Sequence, residues 1–167
     1  RVRTVANPSG RTPAALNAAL AVAANPIIVR VDGHCELPID YVSCAVETLI
    51  RTGADNVGGV MAAQGTTDFE SAVALAMTSK LGVGGAAFHV GGDEGEAETV
   101  YLGVFRAQTL EAVGGYDETF DRIRGCDLRD VARYGSVRRL IGRDQLLNAR
   151  LDRGSTHLLE YRRTGRV

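Results

Sequence analysis

The chain has 167 residues, 45% hydrophobic and 23% charged, which is the composition of about one ordinary globular domain and excludes collagen-like, coiled-coil and disordered chains. Its 19 Lys+Arg against 20 Asp+Glu leave a net charge of -1, so no nucleic-acid partner is expected. That balance hides a split: residues 1–120 carry 7 basic and 14 acidic side chains, whereas residues 121–167 carry 12 and 6.

Thr12-Pro13 followed by Ala14, Ala15, Leu16, Ala18, Ala19 and Leu20 predicts a helix, with Thr12 as its cap and Pro13 in the first turn. Asn25-Pro26 ends it. The β-branched run Ile27-Ile28-Val29-Arg30-Val31 predicts a strand covered on both faces of a parallel sheet, with Asp32-Gly33-His34 at its carboxyl end. Pro38 opens a second helix whose apolar residues from Val42 to Ile50 recur at helical spacing, and Gly53 is its C-terminal cap. A strand is expected over Asn56 to Met61. Thr67-Asp68-Phe69-Glu70 is a capping box that starts a third helix reaching Met77. Six glycines between Gly82 and Gly95 predict a loop or irregular hairpin, in which His89 reads as an exposed side chain. Thr99 to Phe105 predicts a strand, Ala107 to Val113 a short helix, and Gly114-Gly115-Tyr116-Asp117-Glu118 the turn that stops it. Beyond Asp121 no period persists; Leu140 to Leu151 is expected to be helical and the Arg-rich end frayed.

Alternating strands and helices predict an α/β fold, in which ligands bind beyond the carboxyl ends of strands. Asp32 occupies such an end. A carboxylate and an imidazole two residues apart, with Gly33 between them, suit one divalent cation such as Mg or Mn. The same residues also suit a plain turn, with Asp32 capping it and His34 in solvent. Cys35, Cys44 and Cys126 form no close pair, so no disulfide framework is expected and the chain reads as cytoplasmic. With no second cysteine at zinc spacing, Cys35 reads as a small turn residue. No apolar stretch is long enough to span a bilayer, and no leader is evident. The chain opens at Arg1 without a methionine, so the start of a domain is expected to be missing.

Several motifs occur in a telling order: Asn7-Pro-Ser-Gly-Arg-Thr-Pro-Ala-Ala-Leu-Asn17, Val29-Arg-Val-Asp-Gly-His34, Thr52-Gly-Ala-Asp-Asn-Val-Gly-Gly59, Ala76-Met-Thr-Ser79, Val100-Tyr-Leu-Gly-Val-Phe105 and Val113-Gly-Gly-Tyr-Asp-Glu118. Over residues 5–121 this series resembles the middle of a family 2 glycosyltransferase, in the subgroup of succinoglycan-type exopolysaccharide enzymes. The resemblance implies a partial GT-A sheet with flanking helices over residues 1–121, followed by a divergent Arg-rich segment over 122–167. It also implies a nucleotide-diphosphate sugar donor, a divalent cation (Mg or Mn), and inverting transfer to a saccharide or lipid-linked acceptor in polysaccharide or glycolipid biosynthesis. Work on such acceptors suggests peripheral association with the inner face of the plasma membrane.

Residue by residue, Asp32 and His34 match the Asp-X-Asp position, with histidine in the second acidic slot; both would meet the metal, and Asp32 the donor. Arg11 and Asn17 match positions near the donor, where Arg11 would pair with diphosphate and Asn17 would hydrogen-bond the nucleotide. Gly114, Gly115, Tyr116, Asp117 and Glu118 match the acceptor segment, with Tyr116 stacking on a sugar ring. As alternatives, Arg11 is a solvated turn residue, Asn17 a helix-surface amide and the Gly-Gly segment a capped helix end.

The family carries a nucleoside-binding strand and acidic loop ahead of the point matching Arg1. After the acceptor segment it carries an Asn-(Gln or Glu)-Asp-X-Glu-Leu motif that supplies the general base. This sequence has Asp121-Arg-Ile-Arg-Gly-Cys-Asp-Leu-Arg-Asp130 there, so Asp127 and Asp130 are off-pattern and no catalytic base is assigned. The competing expectation is therefore a truncated or frameshifted remnant that is inactive and at most binds a nucleotide sugar or a partner. A dinucleotide-binding oxidoreductase fails on context, because Gly82-Val-Gly-Gly85 follows a helix rather than a strand.

Overall fold

The computed structural model describes residues 2–33, 35–84, 87–90, 93–97, 100–119, 139–150 and 156–161. Helix α1 (Thr12–Leu20) leads to strand β1 (Ile27–Asp32), the short β2 (Cys35–Glu36), α2 (Tyr41–Thr52) and β3 (Asn56–Gln64). Then follow α3 (Asp68–Met77), α4 (Lys80–Val83), α5 (Ala87–Val90), β4 (Gly95–Glu96), β5 (Tyr101–Arg106), α6 (Ala107–Ala112), β6 (Arg139–Arg150) and β7 (Thr156–Tyr161). The α/β class is as expected.

One sheet joins the strands in the order β2-β6-β3-β5-β1-β7, with β4 on β6. The expected parallel setting of β1 is corrected: both its neighbours, β5 and β7, run antiparallel to it. Strand β3 is likewise antiparallel to β5, so β1 and β3 share a direction with β5 inserted between them. The apolar run in β1 reflects covered faces rather than neighbour direction. On one face Ile27 and Val29 join Tyr41, Ala45, Val46 and Leu49 of α2; on the other Ile28 joins Leu16, Phe105, Leu110, Val113 and Tyr116. Successive side chains of a strand point to opposite faces, so β1 feeds both cores.

Local chemistry sets the ends of the helices. Arg11, not Thr12, occupies the cap position of α1, and no side chain caps it. The preceding turn is instead closed by Gly10 N–H donating to Asn7 O at 3.2 Å and by Asn7 Nδ2 donating to Arg11 O at 3.1 Å. Gly53 terminates α2 with φ 69, a conformation that favours glycine. The capping box at Thr67 and Glu70 is present in full. Arg106 ties β5 to the end of α2, its Nε donating to Ala54 O at 2.9 Å and its Nη2 to Leu49 O at 2.8 Å.

Four further expectations are corrected. The stretch expected to be helical from Leu140 is strand β6, and the expected frayed end contains β7. Within the glycine-rich stretch the chain forms α4, α5 and β4, and Glu94 there accepts two hydrogen bonds from Arg51 Nη2 of α2, at 2.8 and 2.7 Å. His89 is partly buried in α5, and burial lowers its pKa despite an opposing backbone hydrogen bond at Met77. Residues 120–138, which hold the proposed boundary at 121/122 together with Cys126, Asp127 and Asp130, lie outside the described residues.

Candidate functional site

Asp32 is the last residue of β1. Arg30, two residues earlier, shares its face by the strand period. Arg30 Nε donates to Asp32 Oδ1 at 3.2 Å and its Nη2 to Oδ2 at 3.5 Å, so the guanidinium spans both carboxylate oxygens. Each side chain is only 13% exposed. A carboxylate this deep needs a counter-charge, and the neighbouring arginine supplies one.

Strand β5 brings a second group to this end of the sheet. Its register pairs Ile27 with Arg106 and Val29 with Val104, so the start of β5 runs beside the end of β1. Leu102 has φ 51, in the left-handed region that a side chain rarely adopts, and the β3 register shifts opposite it between Val57 and Gly59. Alternation is broken there: Leu102 and Tyr101 both pack toward the α2 core. Tyr41 Oη holds the irregularity by donating to Leu102 O at 3.0 Å. The Tyr101 hydroxyl is buried and has no hydrogen-bond partner among the described residues. Burial pushes its pKa well up, with the charges of Asp32 and Cys35 adding to the rise and Arg30 opposing it. Cys35, which opens β2 rather than sitting in a turn, has a thiol raised chiefly by burial, with a backbone hydrogen bond at Asp32 opposing and the Asp32 charge adding.

His34, the other expected metal ligand, lies outside the described residues. Among the described residues no group of three His, Cys, Asp or Glu side chains is arranged to hold a metal ion. Asp32 suits a hard cation of the Mg type, which takes one or two protein carboxylates and fills its remaining positions with water and substrate phosphate oxygens.

The other predicted site residues form a separate cluster. Asn17 Nδ2 donates to Tyr116 O at 2.9 Å and to Glu118 Oε1 at 2.8 Å, while Asn17 Oδ1 accepts from Tyr116 N–H at 2.8 Å. Both amide hydrogens are thus used inside the protein, where the resemblance had aimed them at a nucleotide. Tyr116 is 0% exposed and its ring packs with Leu16, Ile28, Phe105, Leu110 and Val113, so it offers no face for stacking on a sugar. Gly114 and Gly115 both have φ 78, and a Cβ on Gly115 would lie 2.6 Å from Asn17 Oδ1. Two left-handed residues in succession at a helix end are what this pair of glycines permits. Asp117 Oδ1 accepts from Thr119 N–H at 2.8 Å, which closes the turn. A cavity of about 700 Å³ lies against this joint, lined by Asn17, Leu20, Ile28, Leu110, Gly114 and Gly115 among others, but not by Asp32. Arg11 stands at the start of α1.

The structure therefore joins Asn17 to the Gly114–Glu118 segment and keeps Asp32 in another cluster with Arg30, Cys35 and Tyr101. Arg30 was within reach of sequence reasoning, since a lone charge in an otherwise apolar strand needs a partner and position i+2 is on its face. Tyr101 was not, because its orientation depends on the backbone of Leu102.

No family model matches the chain, and no solved structure matches it. Among known proteins it is similar to succinoglycan biosynthesis protein ExoA of Rhizobium meliloti (strain 1021), with 37% identity over 130 residues. The chain resembles a protein named for succinoglycan biosynthesis. The match takes in 77% of this chain and 39% of ExoA, so the chain spans about two fifths of that relative's length. No helix among the described residues is long and apolar enough to cross a membrane.

Proposed function

We propose that this chain is part of an inverting, family 2 glycosyltransferase of GT-A fold, which moves a sugar from a nucleotide-diphosphate sugar to a saccharide or lipid-linked acceptor in exopolysaccharide assembly. The reading is carried by the likeness to ExoA over 130 residues, together with an acidic residue at the carboxyl end of a sheet strand. Asp32 is the donor-side anchor; with His34 it would hold Mg or Mn, which when bound neutralises charge on the departing diphosphate. Arg11 and Asn17 belong to the donor side by motif, and in this reading the acceptor lies along Gly114, Gly115, Tyr116, Asp117 and Glu118. Asn17 serves here by holding that segment in shape, and the segment meets an acceptor through its backbone and carboxylates rather than through the Tyr116 ring. The work is done at the cytoplasmic face of the plasma membrane, where a lipid-linked acceptor is met by peripheral association.

The test is calorimetric titration of the whole chain with UDP and with UDP-glucose, each with and without Mn, beside Asp32→Ala. Binding that requires Mn and disappears in Asp32→Ala is the expected result. No binding by a demonstrably folded chain would count against a uridine donor site and favour the inactive-remnant reading.

A further inference from the structure

We propose that Arg30 is a built-in competitor for the divalent cation at Asp32, so that a cation gains the carboxylate only as the guanidinium leaves it. The inference rests on the cation reading of Asp32 given above and adds the residue that controls access.

Three observations carry it. First, the guanidinium engages both oxygens of the carboxylate, through Nε at 3.2 Å and Nη2 at 3.5 Å, so neither oxygen is left clear of it. A Mg-type ion must approach a carboxylate oxygen to about 2.0–2.1 Å. Second, both side chains are only 13% exposed. Two like charges brought together in such a setting repel far more strongly than they would in bulk water. Third, Arg30 and Asp32 lie two apart on one face of the same strand, in a sheet anchored on both sides by β5 and β7. No movement of a loop can carry the guanidinium away; the side chain itself has to swing out. The resting pair is therefore charge-neutral, and free cation is held weakly. An anionic diphosphate arriving with the cation would offer the released guanidinium a new partner, which couples the two binding events.

The experiment is Mn titration of the full chain, with free Mn read by electron paramagnetic resonance, in the unmodified protein and in Arg30→Gln. Arg30→Met is run in parallel because its long apolar stem keeps the packing of the arginine stem. Removing the charge should tighten Mn binding by roughly tenfold or more, on the order expected for removing one nearby like charge. The gain should vanish when Asp32→Asn is added to either variant. If the unmodified protein binds Mn and folded Arg30 variants bind it no more tightly, the inference is overturned while the cation reading stands. If no form binds Mn, both fail. A second readout needs no variant: the Arg30 Nε–H resonance of the unmodified chain should shift and exchange faster as Mg is added. An Nε–H signal that stays unchanged at Mg concentrations shown to saturate the site would also overturn the proposal.

Discussion

Asn17 and Asp32 make an instructive pair. Both are expected at the donor side from their motifs alone, both are polar side chains on apolar elements, and the structure treats them in opposite ways. Asn17 spends its amide on three internal hydrogen bonds to Tyr116 and Glu118, in a cluster whose centre is a fully buried tyrosine. Asp32 meets a guanidinium that can leave, beside a buried phenol with no hydrogen-bond partner among the described residues. A polar group tied to the backbone of a distant segment holds a fold together, whereas one whose partner is a side chain that can swing away is equipped for a ligand. A motif match does not separate these roles; the kind of hydrogen-bond partner does.

The largest effects should break this comparison if it is wrong. Asn17→Ala leaves the backbone N–H and carbonyl of Tyr116 without those partners, and the expected loss is about 2–3 kcal/mol. Urea denaturation would read this as a fall in midpoint at unchanged slope. Asp32→Asn keeps an oxygen that accepts from Arg30 but leaves a guanidinium that is only 13% exposed without its counter-charge, so its stability loss should be at least as large, about 3 kcal/mol. Its Mn binding should disappear, while folded Asn17→Ala should retain it. An Asn17→Ala chain as stable as the unmodified one would show that the joint carries no weight.

Gly115→Ala sharpens the same comparison from the partner's side. The new Cβ must adopt a left-handed φ of 78 and would meet Asn17 Oδ1 at 2.6 Å. About 1–2 kcal/mol is expected from the backbone alone. Because part of the damage is a collision with Asn17, the penalty should shrink in an Asn17→Ala background, and a double-mutant cycle would measure the difference. Strict additivity would mean that the two residues do not act as one joint.

How much of this was legible beforehand follows from which forces act locally. The capping box at Thr67, the αL cap at Gly53 and the burial of β1 on both faces depend on near neighbours or on composition, and the sequence carried all three. Strand direction was not legible. A run such as Ile27 to Val31 reports that both faces are covered, and β5 reaches it by the antiparallel route, pairing Ile27 with Arg106 and Val29 with Val104. Strand β6 went unread because Leu140, Ile141, Leu146 and Leu147 also fit a helix, and pairing with β3 decided otherwise. At the candidate site, Asp32 at the end of β1 was visible from the pattern alone. The commitment of Asn17 to Tyr116 was not, because it joins residues 99 positions apart. The position of Tyr101 depends on the positive φ of Leu102, a residue type that gives no warning of one.

Tyr101→Phe is the mildest probe and the most selective. Removing a buried hydroxyl that has no hydrogen-bond partner among the described residues leaves no widowed group there, so the expected change at neutral pH is within about 0.5 kcal/mol, in either direction. Its effect should appear at high pH. An exposed tyrosine in the unfolded chain loses its proton near about pH 10. In the folded chain burial, helped by the Asp32 and Cys35 charges, holds the Tyr101 phenol neutral well above that. The unfolded state therefore binds fewer protons than the native state above pH 10, and stability must fall as pH rises through that range. Tyr41, also raised by burial, contributes to the same slope. Tyr101→Phe should keep the neutral-pH midpoint and lose part of the alkaline slope, leaving the share that belongs to Tyr41. A stability loss of more than about 1 kcal/mol at neutral pH, on the scale of one lost hydrogen bond, would mean that the hydroxyl is bonded in solution and that the Asp32 cluster is as saturated as the Asn17 joint.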